Sequence, residues 1–433
     1  MVGRALVNFP SGGCQVQLDH GCMEHVLAGT TSLTDYREID EVLRSSVFVQ
    51  AAYWPAVQPL VHDTLTAIDG PRHAARWRLE NRLFSREAIA HYKREAVEPL
   101  LERTLVSLRD QRDADGVVRT DLVPLFWGIA RRIPAFVVGI DDVDGPERVE
   151  RFVALLSAIG HGLSATLSPH RDELIARGLA ARATFAEEFF EPSAARRRVL
   201  LAAVAAGELD RDALPRDLIT LLLAHPDDSW DDELVLREAA MFLSASITTT
   251  AQFFPHFVVR ILGWAGDDPV RRGRLDDVEF LQRAVGEALR FTVASPARVR
   301  RATTDVVLSS GRRIAAGETV SLWFLPANSD TQEFGPDADR FDPERVVAKR
   351  VPWGLAFGQG AHLCIGKNLI TGVGARNTAD GDAPVDTAHG VVATVALALL
   401  RAGMLIDRDR PAVKHPTSIY DEYQSLPVLF TGL

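Results

Sequence analysis

Apolar residues recur at three- and four-residue intervals over 94–112, 120–138 and 147–165, a period that predicts helices there. A denser version runs from Asp231 to about Gly263 and predicts the longest helix of the chain. Shorter helices are predicted over 37–43, entered from a strand end at Thr34-Asp35-Tyr36, over 74–81, after the turn Asp69–His73, over 217–224 and over 389–400. A helix-like run also spans 367–370. Two-residue alternation comes late: 304–308 and 312–323 flank Ser310-Gly311 and predict a hairpin, and 426–430 is β-prone. Gly, Ser, Thr and Pro break the pattern over 159–170 and predict a loose segment, while the glycine-rich first 30 residues predict nothing.

The 433 residues are 47% hydrophobic, enough for a large core, and length alone suggests two or three domains. A net charge of −10 and a pI near 5.7 argue against a nucleic-acid binder. Only three cysteines occur, Cys14, Cys22 and Cys364, which fits a reducing compartment rather than a disulfide scaffold. The first 22 residues carry no signal-peptide pattern, and no apolar window reaches the length of a membrane span. The expectation is a soluble, cytoplasmic protein with no nucleic-acid or membrane partner.

Candidate chemistry concentrates in Phe357-Gly358-Gln359-Gly360-Ala361-His362-Leu363-Cys364-Ile365-Gly366. Gly358, Gly360 and Gly366 permit positive φ and close backbone approach. Cys364 precedes a helix-like run, where the positive end of the helix dipole favours a thiolate. One thiolate without a second Cys or His at zinc spacing does not make a tetrahedral site. It suits a cofactor that brings four nitrogens of its own and needs one axial protein ligand, which is haem.

These ten residues fit F-G-x-G-x-H-x-C-x-G, and the chain resembles the cytochrome P-450 family of haem-thiolate monooxygenases. The resemblance runs from about Asp35 to the C-terminus. It implies a mainly α fold with small β-sheets, a single haem-binding domain over 1–433, and haem b held by Cys364. The chain is short of part of the family's first helix and sheet. It also inserts 371–386, where the family continues as one helix, and we expect a surface loop there.

Further residues follow from the resemblance. His73 matches the position that meets a haem propionate, and Trp77 stands where an Arg is common. Counting back from Asp305, Arg300 matches the propionate arginine, with Arg298 and Arg301 as alternatives, and His362 is a second propionate partner. Phe357, Gly358 and Gly366 belong to the cysteine loop. In the central helix the family pattern A-G-x-[D/E]-T-T meets Ala245, Ser246 in place of Gly, Thr248 in place of the acid, then Thr249 and Thr250. Ser246, Thr248 and Thr249 are the catalytic candidates, a neutral hydroxyl relay. Glu287 and Arg290, an E-x-x-R pair, and Arg345 of F-D-P-E-R match a buried structural charge triad. The family's mobile substrate lid falls near 159–170, where Phe185, Phe189 and Phe190 stand as pocket or core residues.

The function implied is oxidation of a small, largely apolar organic molecule by hydroxylation, epoxidation or dealkylation. No flavin or iron–sulfur segment is attached, so a separate ferredoxin and ferredoxin reductase are implied. Two other readings stay open. One is a peroxide-using or non-monooxygenase enzyme, an isomerase or coupling enzyme, motivated by Thr248. The other is a haem-containing binding or recruitment protein with little turnover.

Overall fold

Asp35 starts the first described helix. Its carboxylate accepts from the Arg37 and Glu38 amides, so β1 (Thr31–Leu33) passes directly into α1 (Tyr36–Arg44). The structure, a computed structural model, describes residues 29–51, 55–165, 170–226, 230–295, 297–347, 350–373, 388–415 and 421–433. The other helices used below are α2 (Gly70–Glu80), α3 (Pro146–Leu163), α4 (Arg171–Phe185), α5 (Asp232–Ala265), α6 (Val278–Phe291), α7 (Lys367–Thr371) and α8 (Val391–Arg401). The strands are β2 (Phe48–Gln50), β3 (Val118–Asp121), β4 (Ala297–Ala302), β5 (Val306–Val307), β6 (Arg313–Ile314), β7 (Thr319–Trp323), β8 (Met404–Ile406), β9 (Val413–Lys414), β10 (Tyr423–Ser425) and β11 (Pro427–Phe430). The fold is mainly α with small sheets, as expected. No described helix is long and apolar enough to cross a membrane.

The chain forms two compact units from non-contiguous segments. The first takes its described residues from 29–48, 89–129 and 249–433. In it β7 lies between β1, which runs parallel to it (Thr31 opposite Val320), and β4, which is antiparallel (Arg300 opposite Val320). Leu33, Tyr36, Ile39, Val320, Leu322, Phe324 and Leu355 form the core beneath these strands. A second sheet has the order β3-β11-β8, and β5 pairs with β6. The second unit comprises 49–88 and 130–248. Phe152, Phe185 and Phe189 form an aromatic cluster there, with ring centroids 5.2–6.2 Å apart. With Phe190, these phenylalanines are buried core side chains.

Several expectations change for local physical reasons. The helix predicted over 120–138 begins at Leu122, because 118–121 pairs antiparallel with β11. Asp121 fixes the switch, its carboxylate accepting from the Val123 and Leu426 amides. The predicted hairpin closes at β6, and 319–323 forms β7, which pairs with β4 instead. α2 begins at Gly70, four residues before the predicted start, because Pro71 sits in a first turn where its missing N–H costs nothing.

The segment 159–170 is helical through Leu163, resumes as helix at Arg171, and has 166–169 outside the described residues. Its Gly162 is there for packing. A Cβ on it would lie 2.9 Å from Leu60 Cδ1 and 3.2 Å from the Gly178 Cα of α4. Of the insertion, Thr371 ends α7, Val373 and Ala388 bridge antiparallel, and 374–387 lie outside the described residues. Residues 1–28, with Cys14 and Cys22, are also outside them.

Candidate active site

The loop before α7 is held from two sides. The Cys364 amide donates to the Phe357 carbonyl at 2.9 Å, and the Gly358 amide to the Leu355 carbonyl at 2.8 Å. Phe357 packs edge-on against Trp353, centroids 5.9 Å apart. Gly358 and Gly360 take φ of +68° and +69°, as the glycine pattern predicts. Gly366 does not: its φ is −77°, ordinary helical backbone, because it enters α7 as the residue before the first turn. A Cβ on Gly360 would strike the Leu43 carbonyl of α1, and Arg44 Nη2 donates to Gln359 Oε1 at 3.0 Å. The loop is thus seated on the C-terminal end of α1.

Cys364 itself is exposed. Crowding by protein atoms on its other sides pushes the thiol up from its ordinary value. The Gly366 amide, the Arg298 guanidinium, and the Lys367 amide and ammonium pull it the other way. Lys367 is depressed by its own burial, with the cysteine charge opposing. An open sulfur ringed by two amide donors and two cations is the donor set of a thiolate ligand.

On β4 strand alternation puts Arg298 and Arg300 on one face and Arg301 on the other. Arg300 is buried, its Nη1 donating to the Val299 carbonyl at 3.0 Å, while Arg298 and Arg301 are exposed. His362 is half-buried in the turn before Cys364. In the second unit α2 buries His73 and half-buries Trp77 one turn on, and no acceptor among the described residues reaches the indole Nε1.

The unit boundary falls within α5, between Thr248 and Thr249. Ala245 and Thr249 share a helix face at i, i+4, Ala245 exposed and Thr249 half-buried like Thr248. The Ser246 hydroxyl turns back on its own helix, 2.7 Å from the Phe242 carbonyl and 3.2 Å from that of Leu243.

The first unit brings Glu287, Arg290 and Arg345 together. Glu287 Oε1 lies 2.8 Å from Arg290 Nη2 and 3.0 Å from Arg345 Nε. The remaining donors are taken too. Arg290 Nη1 donates to the Asn328 carbonyl at 2.6 Å and to that of Ala338, and Arg345 reaches Asp337, Phe334 and Arg340 at 2.7–2.9 Å.

Sequence reasoning missed Lys367 beside the sulfur, the docking of the loop on α1, and a buried polar stripe on α2. His73, Arg76 and Glu80, all buried, stand at i, i+3 and i+7. That spacing was readable; their burial was not.

The cytochrome P450 family model matches residues 264–370. Among curated relatives, a cytochrome P-450 monooxygenase, DoxA, of Streptomyces sp. (strain C5) is 27% identical over 379 residues, covering 84% of this chain and 80% of that protein. The nocardicin C N-oxygenase of Nocardia uniformis subsp. tsuyamanensis is 27% identical over 354 residues, 78% of each chain. Among solved structures, epothilone D-bound cytochrome P450epoK superposes with a TM-score of 0.68 at 21% identity, covering 93% of this chain and 91% of that one. With the cysteine loop and the mainly helical fold, these likenesses establish that the chain belongs to the cytochrome P450 family of monooxygenases.

Proposed function

We propose that the chain holds haem b through Cys364 and oxidises a small, largely apolar organic molecule by hydroxylation, epoxidation or dealkylation. Dioxygen and electrons from a separate ferredoxin and ferredoxin reductase drive the reaction, in the cytoplasm. The observation that carries this reading is the exposed Cys364 sulfur with amides and cations around it. His362, Arg300 and His73 suit the carboxylates of haem, and the buried Trp77 indole N–H, which has no acceptor among the described residues, suits them as well. Phe357, Gly358, Gly366 and Ala245 carry the small or flat side chains that suit a planar ring. When bound, thiolate-ligated haem supplies dioxygen activation and transfer of one oxygen atom to substrate.

The chain's own contribution is positioning and proton handling. The Glu287–Arg290–Arg345 triad fixes the backbone around Asn328 and Ala338 and takes no part in chemistry. The hydroxyls of Thr248 and Thr249 can each accept a proton at Oγ1 and pass one on, but neither supplies a net proton. Ser246, whose hydroxyl donates to its own helix, joins the relay as an acceptor beside the two threonines. Thr248, in the acid's position, also favours a second reading, a peroxide-using or non-monooxygenase enzyme.

The test is the spectrum of reduced, carbon monoxide-treated protein. The red-shifted band of thiolate-ligated haem should appear, and should be lost in Cys364→Ala. A normal band in that variant rejects the assignment. Thr249→Ala should release more peroxide per electron pair; unchanged coupling would favour the second reading.

A further inference from the structure

Glu80 ends α2, and Glu238 lies in the second turn of α5. Both side chains are fully buried, at 0% exposure. Among the described residues, no hydrogen-bond donor reaches either oxygen of Glu80. Among the described residues Glu238 accepts from one donor, the Leu65 amide, at 3.0 and 3.2 Å from its two oxygens. Two buried carboxyls are therefore served by a single N–H.

The charges around the pair do not neutralise it. On α2, Arg76 is buried, but its guanidinium is committed to the Asp63 carbonyl and carboxylate and lies 4.5 Å from the Trp230 ring centroid. Asp63 is shared with the exposed Arg72. On α5, Arg237 donates to the His62 carbonyl at 2.6 Å and lies 3.6 Å from Glu233, which Arg182 of α4 also holds at 2.9 Å. The His62 ring is exposed and faces Gln58. One buried guanidinium, already claimed by Asp63, thus stands against two buried carboxyls.

Two carboxylates cannot both stay ionised in such a place. A buried charge must be paired or neutralised, and the cheapest neutraliser of a carboxylate is a proton. We propose that Glu80 and Glu238 are both kept protonated around neutral pH, forming a proton-operated latch that lets the end of α2 and the Asp63–Leu65 turn stay buried beside α5. The two titrate as a coupled pair, so the steps in which their protons are lost belong to both residues. Burial pushes Glu80 well above the usual carboxylate range, and the Glu238 charge raises it further against Arg76. Burial likewise pushes Glu238 up to about 8, against the Leu65 amide and Arg76, with Asp63 adding to the rise and Arg237 opposing it.

The sign follows from linkage. The folded carboxyls release their protons at a higher pH than the unfolded ones. The stability this pair contributes is therefore fully present below the ordinary carboxylate range, and is lost as pH rises through the folded values. None of these residues is proposed to touch haem or substrate, so the latch stands or falls independently of the proposed function.

The test uses the full chain as purified. Infrared difference spectra between about pH 6 and pH 9 should show a buried carboxylic-acid carbonyl band at the lower pH and its loss at the higher. Glu80→Gln, which mimics the protonated shape and cannot titrate, should weaken the band and leave the share of Glu238. Its melting temperature should fall across that interval by less than half as much as that of the parent, whose fall should be several degrees. Absence of the band in the parent at the lower pH overturns the latch without any variant. So does a Glu80→Gln profile that tracks the parent.

Discussion

Each unit buries a cluster of charge, and the two clusters solve the same problem differently. In the first unit Glu287 is matched by two arginines, whose spare donors end on backbone carbonyls and Asp337. In the second, Glu80 and Glu238 outnumber Arg76, the buried arginine described beside them, and Glu80 has no donor on either oxygen among the described residues. A cluster balanced by fixed cations is indifferent to pH near neutrality, because arginine does not titrate there. A cluster balanced by a proton is not. The difference lies in what supplies the missing positive charge, since depth of burial is similar in both.

The comparison breaks most sharply at Glu287. Glu287→Ala leaves two guanidinium groups without their carboxylate, and should cost about 3–5 kcal/mol. Little soluble, haem-loaded protein should be recovered. Full loading and near-parental melting would reduce the triad to an incidental ion pair. A smaller loss is expected from Arg76→Met in the second unit, about 1–3 kcal/mol at neutral pH, because its acceptors are left unsatisfied. The carboxyls left behind can take up a further proton, so this loss should shrink in denaturant titrations below about pH 6. A loss independent of pH would mean that the second cluster behaves like the first. The smallest effect concerns the Ser244 hydroxyl of α5, which is buried with no partner among the described residues. Ser244→Ala should be neutral or stabilising by up to about 1 kcal/mol in thermal melts, because no hydrogen bond is lost. A clear destabilisation would reveal an acceptor for that hydroxyl.

The sequence made the first cluster legible and the second illegible, for one reason. E-x-x-R and F-D-P-E-R are local spacings, and the geometry that joins Glu287, Arg290 and Arg345 needs only that both segments reach one place. Arg76 and Glu80, by contrast, look like ordinary solvated charges on a short helix. Only the packing of α2 against its neighbours shows that they are inside. The cysteine loop was readable to the residue because its glycines and sulfur sit within ten positions. Even there, the helical φ of Gly366 and the seat on α1 required tertiary structure. The helix expected from residue 120 failed where pairing with β11, some three hundred residues downstream, overrode local periodicity. Gly162 was read as part of a loose segment when it serves close helix packing.

The parallel pairing of β1 with β7 has a consequence for how the chain is made. Ser32 and Ser321 hydrogen-bond across a separation of 289 residues, and the Cys364 loop rests on α1 still later in the chain. At about 5–20 residues per second of synthesis, the first strand and helix wait roughly 15–60 s on the ribosome before their partners emerge. During that interval Leu33, Tyr36 and Ile39, all buried in the finished protein, have nothing of the late sheet to cover them. Production of this protein should therefore depend on chaperone supply and translation speed more than its final stability would suggest. Synonymous changes that slow synthesis between codons 50 and 320 should lower yield while leaving the melting temperature untouched.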